Sequence, residues 1–154
     1  MEELSRRRLD DLLELMSGAR AAPAAGSAAG WSLGLAAALL GKAARLSHRQ
    51  MADWQDHATT ADELRSAALA LAEDDAQAVT LMIKAAQQGS SQDTRGADTP
   101  QLILALARRV CDLASILAND GNAWLYADAE AARLLGEASF EIAQTLIRAN
   151  DTHM

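Results

Sequence analysis

The run Leu64-Arg65-Ser66-Ala67-Ala68-Leu69-Ala70-Leu71-Ala72-Glu73-Asp74-Asp75-Ala76-Gln77-Ala78-Val79-Thr80-Leu81-Met82 contains no glycine and no proline. Leu64, Ala68, Leu71, Ala78, Val79 and Met82 share one face at helical spacing, and Asp75 falls on the same face, four residues after Leu71 and seven before Met82. That step pattern predicts an amphipathic helix. Thr60-Ala61-Asp62-Glu63 just upstream has the form of a capping box, so the helix is expected to open there and to run to about Gln88.

Outward from this stretch, the same reasoning predicts helices everywhere. A first helix spans about Glu2 to Met16, on Leu4, Leu9, Leu12, Leu13 and Met16, and Ser17-Gly18 ends it. A small-residue loop with Pro23 follows, and Ser27 has the chemistry to cap a long second helix reaching about His57. Ala28, Ala29, Gly30, Gly34, Ala37 and Gly41 line that helix with small side chains. Thr99-Pro100 opens a fourth helix, which Asn119-Asp120-Gly121-Asn122 stops. A turn over 122–126 and a final helix over about 127–149 complete the chain, while Gly89 to Thr99 is polar, without apolar anchors, and expected to tolerate change. No stretch alternates in the manner of a strand. The expectation is a single all-α domain over 1–154, an up-and-down bundle of about five helices with a long, small-residue second helix.

Composition narrows the function. The net charge of −7 argues against a nucleic-acid partner, which needs a basic face, and Arg6-Arg7-Arg8 reads as a solvated run. The apolar stretch 21–40 is mostly Ala with Gly and Ser and runs on to Lys42 and Arg45, so it reads as a buried helix and not a membrane span. A lone Cys111 in an apolar pattern reads as a core thiol in a reducing, cytoplasmic setting. His48, His57 and His153 have no metal-ligand spacing, so no metal is expected. A core made largely of Ala gains little area per helix, at about 25 cal/mol per Å². A homodimer or higher homo-oligomer is therefore expected, joined through the small-residue face of the second helix.

Acids on apolar stripes are the useful anomalies. Asp75 faces the predicted core, where a carboxylate is costly unless bonded. It is either a pocket acid with a raised pKa or the partner of a basic side chain from a neighbouring helix. Asp128 shares a face with Ala132, Leu135, Ile142 and Leu146, although an acid in a first turn also serves the helix dipole. Ser27, after Gly26, is either a cap or part of a polar-ligand site at a helix start.

Three segments together resemble one family. Pro23-Ala24-Ala25-Gly26-Ser27-Ala28-Ala29 is similar to the Pro-Gly-Gly-Gly-Ser-Val-Ala-Ala signature of the formimidoyltetrahydrofolate cyclodeaminase and methenyltetrahydrofolate cyclohydrolase group. Leu71-Ala72-Glu73-Asp74-Asp75-Ala76-Gln77-Ala78 resembles its acid-bearing helix. Gly121-Asn122, Ala127-Asp128, Glu141 and Arg148-Ala149-Asn150 match its later positions in order. The resemblance implies a helical bundle that self-associates. It also implies a tetrahydrofolate derivative as substrate, with no prosthetic group, and chemistry on the ring bridging two folate nitrogens. Asp75 and Asp128 become the catalytic candidates, expected to share one cavity. Gly26, Ser27, Trp31, Asn122 and Asn150 become the substrate-binding candidates, and Lys42, Arg45, Arg49 and Lys84 the candidates for a polyglutamate tail. Ala24, Ala25, Ala127 and Leu146 depart from the family pattern. The alternatives are a relative recruited to another C–N ring-forming or ring-opening step in specialised biosynthesis, or a non-catalytic helical assembly.

Overall fold

The computed structural model describes residues 3–89 and 98–153. Most of the polar stretch expected to tolerate change therefore lies outside the described residues. Among those described there are five α-helices and no strand: α1 (Leu9–Ser17), α2 (Ala25–Arg45), α3 (Trp54–Gln87), α4 (Thr99–Asp120) and α5 (Tyr126–His153). Short 3-10 turns at Leu4–Arg6 and Ala123–Leu125 precede α1 and α5. None of these helices is long and apolar enough to cross a membrane.

The first boundaries differ from the sequence expectation. Residues 4–6 form a separate 3-10 turn, and α1 begins only at Leu9. The second helix ends at Arg45 and not near His57, and α3 opens at Trp54, so Thr60 and Glu63 sit inside a continuous helix and cap nothing. The chain reverses over residues 46–53 because tertiary contacts hold it there. Ser47 Oγ accepts the Asn122 N–H at 2.8 Å and donates to Ala43 O, while Asn122 Nδ2 donates to Leu46 O. Met51 is buried beneath the turn.

α2 packs against α3, α4 and α5, which makes it the central helix of a four-helix bundle. Its glycines set the register on α3: Gly26 lies against Asp75, Gly30 against Ala68 and Ala72, and Gly41 near Ala61. These contacts fix an antiparallel pair at close approach. A Cβ on Gly30 would stand 2.9 Å from the Ala68 carbonyl oxygen and 2.8 Å from Ala72 Cβ. The small-residue face is therefore used inside the chain, which corrects its expected role as the contact between subunits. α5 runs antiparallel to α2, with Asp128 beside Lys42 at one end and Ser139 Oγ donating to Ala29 O at the other. Up-down-up-down order results, with Leu33, Leu40, Leu64, Ile103 and Val110 as the large, fully buried side chains of an otherwise Ala-rich core.

The two long helices overshoot α2. At 1.5 Å per residue α3 is about 51 Å long and α2 about 32 Å. Past Asp75, which marks the start of α2, three turns of α3 project with Leu81, Met82 and Ile83 exposed.

Candidate functional site

Ala24, immediately before α2, carries no side-chain acceptor for the helix's first N–H groups. Ser27 is not the cap; it lies inside the first turn and is fully buried. The missing acceptor arrives from α3. Asp75 Oδ2 accepts the Ser27 N–H at 2.8 Å and lies 3.0 Å from Ser27 Oγ, which also reaches Ala72 O at 2.9 Å. The carboxyl is seated on Gly26, where a Cβ would fall 2.0 Å from Asp75 Oδ1. Asp75 thus does for α2 what an N-cap side chain does from within a helix.

Burial pushes the Asp75 carboxyl above its ordinary range, opposed by the two hydrogen bonds from Ser27. Neither a lysine nor an arginine pairs with it among the described hydrogen bonds. Of the two readings available from sequence, the basic partner is replaced by a helix N-terminus and a serine. Two residues away, Glu73 Oε2 accepts the Leu4 N–H at 2.7 Å, which pins the chain's first turn against α3 beside this cluster. Arg6 and Arg8 are exposed as expected of a solvated run, whereas Arg7 is half-buried.

Trp31 follows Ser27 by one turn on α2 and is half-buried. Gly26, Ser27, Trp31 and Asp75 therefore gather at one end of the bundle. Asp128 and Asn122 do not join them. Asp128 accepts from Lys42 Nζ at 2.8 Å with its side chain 23 % exposed, and Lys42 is about 22 Å from Ser27 along α2 by the helical rise. The expected shared cavity does not exist within one chain. Asn122 spends its groups on the corner: its Oδ1 accepts the Trp124 N–H and its Nδ2 binds Leu46 O. Asn150 is exposed near the end of α5, about 16 Å along the axis past Ser139. Of the candidate basic residues, Lys42 and Arg45 are paired with Asp128 and Asp62.

A separate open groove of about 800 Å³ lies between α4 and α5, lined by Arg108, Cys111, Glu137 and Phe140 among others. The Arg108 guanidinium lies over the Phe140 ring at 5.2 Å. Cys111 is half-buried there and not in the core, because Gly136 leaves room for its sulfur. Burial first and Glu137 second push its thiol up, which leaves it a poor nucleophile. Among the described residues no cluster of His, Cys, Asp or Glu side chains is placed to hold a metal ion.

The family model for formiminotransferase-cyclodeaminase matches residues 8–154. The chain belongs to that family. No curated protein matches it at a significant level. Among solved structures, formiminotetrahydrofolate cyclodeaminase from Thermotoga maritima is similar at a TM-score of 0.90 and 19% identity, covering 99% of this chain and 82% of that one. At that identity the likeness establishes the shared all-α fold. Family membership supports a folate cyclodeaminase-like function for this formiminotransferase-cyclodeaminase relative. Sequence reasoning placed Asp75 correctly on an inward face but missed Gly26 as its seat. The signal was present: a glycine directly before a buried serine leaves space for a group from another helix.

Proposed function

We propose that this protein is a folate one-carbon enzyme acting on the C–N bridge between two folate nitrogens, as a cyclodeaminase or a methenyltetrahydrofolate cyclohydrolase. The observation that carries the reading is the buried Asp75 held by Ser27 on Gly26, in a chain of this family. A cyclodeaminase must protonate departing ammonia, and a cyclohydrolase needs an acid for the leaving nitrogen and a base for water. A carboxyl pushed up by burial holds its proton closer to neutral pH than an exposed one, which suits it to the acid's part. Asp128, paired with Lys42 about 22 Å along α2 from Ser27, is too far from Asp75 to act on the same bond within one chain.

Ala24 and Ala25 do not weaken this reading through backbone strain. Ala24 is extended, Ala25 is helical, and among the described residues only Gly89 has a positive φ. Their methyl groups, with Trp31 one turn above Ser27, do reshape the approach to the site. That favours a second reading, a relative recruited to another C–N ring step on a related small molecule.

The test follows absorbance with formimino- and methenyltetrahydrofolate, with ammonia release separating the two reactions. Asp75→Asn keeps the size of the side chain and removes its proton. We expect turnover to fall by about 100- to 10,000-fold with circular dichroism unchanged. Undiminished turnover in Asp75→Asn would remove Asp75 from the chemistry. A wild-type protein inert toward both folates would favour the recruited relative.

A further inference from the structure

No residue of α1 is buried, yet the helix is amphipathic. Leu9, Leu12, Leu13 and Met16 fall at i, i+3, i+4 and i+7, opposite Asp10, Asp11 and Glu14. Leu9 is 71% exposed and Leu13 58%. α3 carries a matching face where it overshoots α2. Val79, Met82, Ile83 and Ala86 repeat the same spacing and continue the line of Ala72 and Asp75 that faces α2. Because α2 starts only at Ala25, beside Asp75, Met82 is left 50% exposed and Ile83 and Ala86 are open to solvent. We propose that residues 5–26 are a flap, in which α1 lays its apolar face on this overhang of its own chain and covers the start of α2, where Asp75 meets Ser27. Water exclusion there serves ring chemistry, so the flap's part in catalysis rests on the folate reading; the docking does not.

The chain itself selects α1 as the occupant. Both ends of the flap are tied to α3 two residues apart, the Leu4 N–H by Glu73 and the Ser27 N–H by Asp75. A tether this short holds α1 beside the overhang at an effective concentration on the order of millimolar, which favours it over the same helix of another molecule. The tethers also fix its direction. An extended chain spans at most about 3.6 Å per residue, so Leu9, five residues after Leu4, reaches about 18 Å. Along α3, Val79 lies about 9 Å past Glu73 and Ala86 about 20 Å. Leu9 therefore settles at Val79 and Met16 at Ala86, with α1 parallel to α3. The chain from Ser17 back to Ala25 spans up to about 26 Å, enough for a return of about 18 Å.

Three measurements test this, two of them without substrate. With Cys111→Ser as background, Met16→Cys with Ala86→Cys is expected to link under mild oxidant within one chain, as a faster band of monomer mass on a non-reducing gel. Leu9→Cys with Ala86→Cys is expected to link poorly, because the tether holds them apart. No link in the first pair, or links only between chains, overturns the docking; links between chains would assign the overhang to a second copy. Equal linking of both pairs overturns the parallel seating. Amide hydrogen exchange reads the cover. In the linked protein the Ser27 and Ala28 N–H groups should exchange at least about tenfold more slowly than after reduction, and equal exchange overturns the cover. The linked protein should also turn over methenyl- and formiminotetrahydrofolate at least about tenfold more slowly, recovering on reduction. Full activity in the fully linked protein overturns the flap's part in catalysis. A wild type inert on both folates removes the folate reading, and the link and the exchange still decide the flap.

Discussion

Ser27 has one hydroxyl proton and two acceptors in reach, Ala72 O at 2.9 Å and Asp75 Oδ2 at 3.0 Å. A neutral Asp75 satisfies both, because it donates to Ser27 Oγ while the serine proton goes to Ala72 O. An ionised Asp75 leaves the two acceptors competing for one proton. Burial raises the acid by more than the hydrogen bonds from Ser27 lower it. The folded protein therefore binds the Asp75 proton more tightly than the unfolded chain, and its stabilising effect is full below the ordinary value of 3.8. Stability is lost as pH rises from there through the raised folded value. Asn at this position imitates the neutral acid and does not titrate. The melting temperature of wild type minus that of Asp75→Asn should fall as pH rises above the ordinary value of 3.8. A difference that is flat or rises would show that Asp75 is ionised throughout. The inward direction of Asp75 was legible because helical spacing alone fixes a face. Its partners were not, since they depend on how α2 slides along α3, and nothing within residues 64–82 specifies that.

Between elements, the glycines of α2 separate sites of rigid contact from sites that yield. A Cβ on Gly30 meets backbone atoms of Ala68 and Ala72 at 2.9 Å, so α2 and α3 must part to admit it. At Gly34 the nearest atom is Leu69 Cδ2 at 3.3 Å, the end of a side chain that can turn away. Gly30→Ala is expected to cost about 1–3 kcal/mol by overpacking. Gly34→Ala should lie near neutral or gain slightly from helix propensity. Denaturant melts of the two variants check this, and equal losses would contradict the close approach at Gly30. The class of every long helix was legible, but the α2–α3 boundary was not. Residues 46–53 contain no glycine or proline, and their turn is held by Ser47 and Asn122 from distant parts of the chain. Thr60-x-x-Glu63 has the right letters for a start, yet cap chemistry acts only where the chain actually turns.

At the scale of the molecule the bundle has two unlike ends. One holds the corner built by Ser47, Gly121 and Asn122 together with the Lys42–Asp128 pair. The other holds Asp75 and Ser27 beneath the first turn, with the overshooting end of α3 beyond. A fold of this class was readable from composition and periodicity, whereas the division of the candidate residues between the ends needed the helix lengths and register. The borrowed cap at the second end also has a kinetic meaning. The α2–α3 hairpin is hinged at residues 46–53, so contacts near the hinge, such as Gly41 with Ala61, close the shortest loops. Ser27 and Asp75, 48 residues apart, close the longest. If the pair zips from its hinge, the first turn of α2 is the last to set, because its acceptor does not exist until the strand of contacts reaches Asp75. Gly26→Ala displaces that acceptor, and stopped-flow chevrons should place its effect almost wholly in faster unfolding, with the refolding rate unchanged. Slower refolding would mean instead that the hairpin closes from its open mouth, with Asp75 among the first residues to find its place.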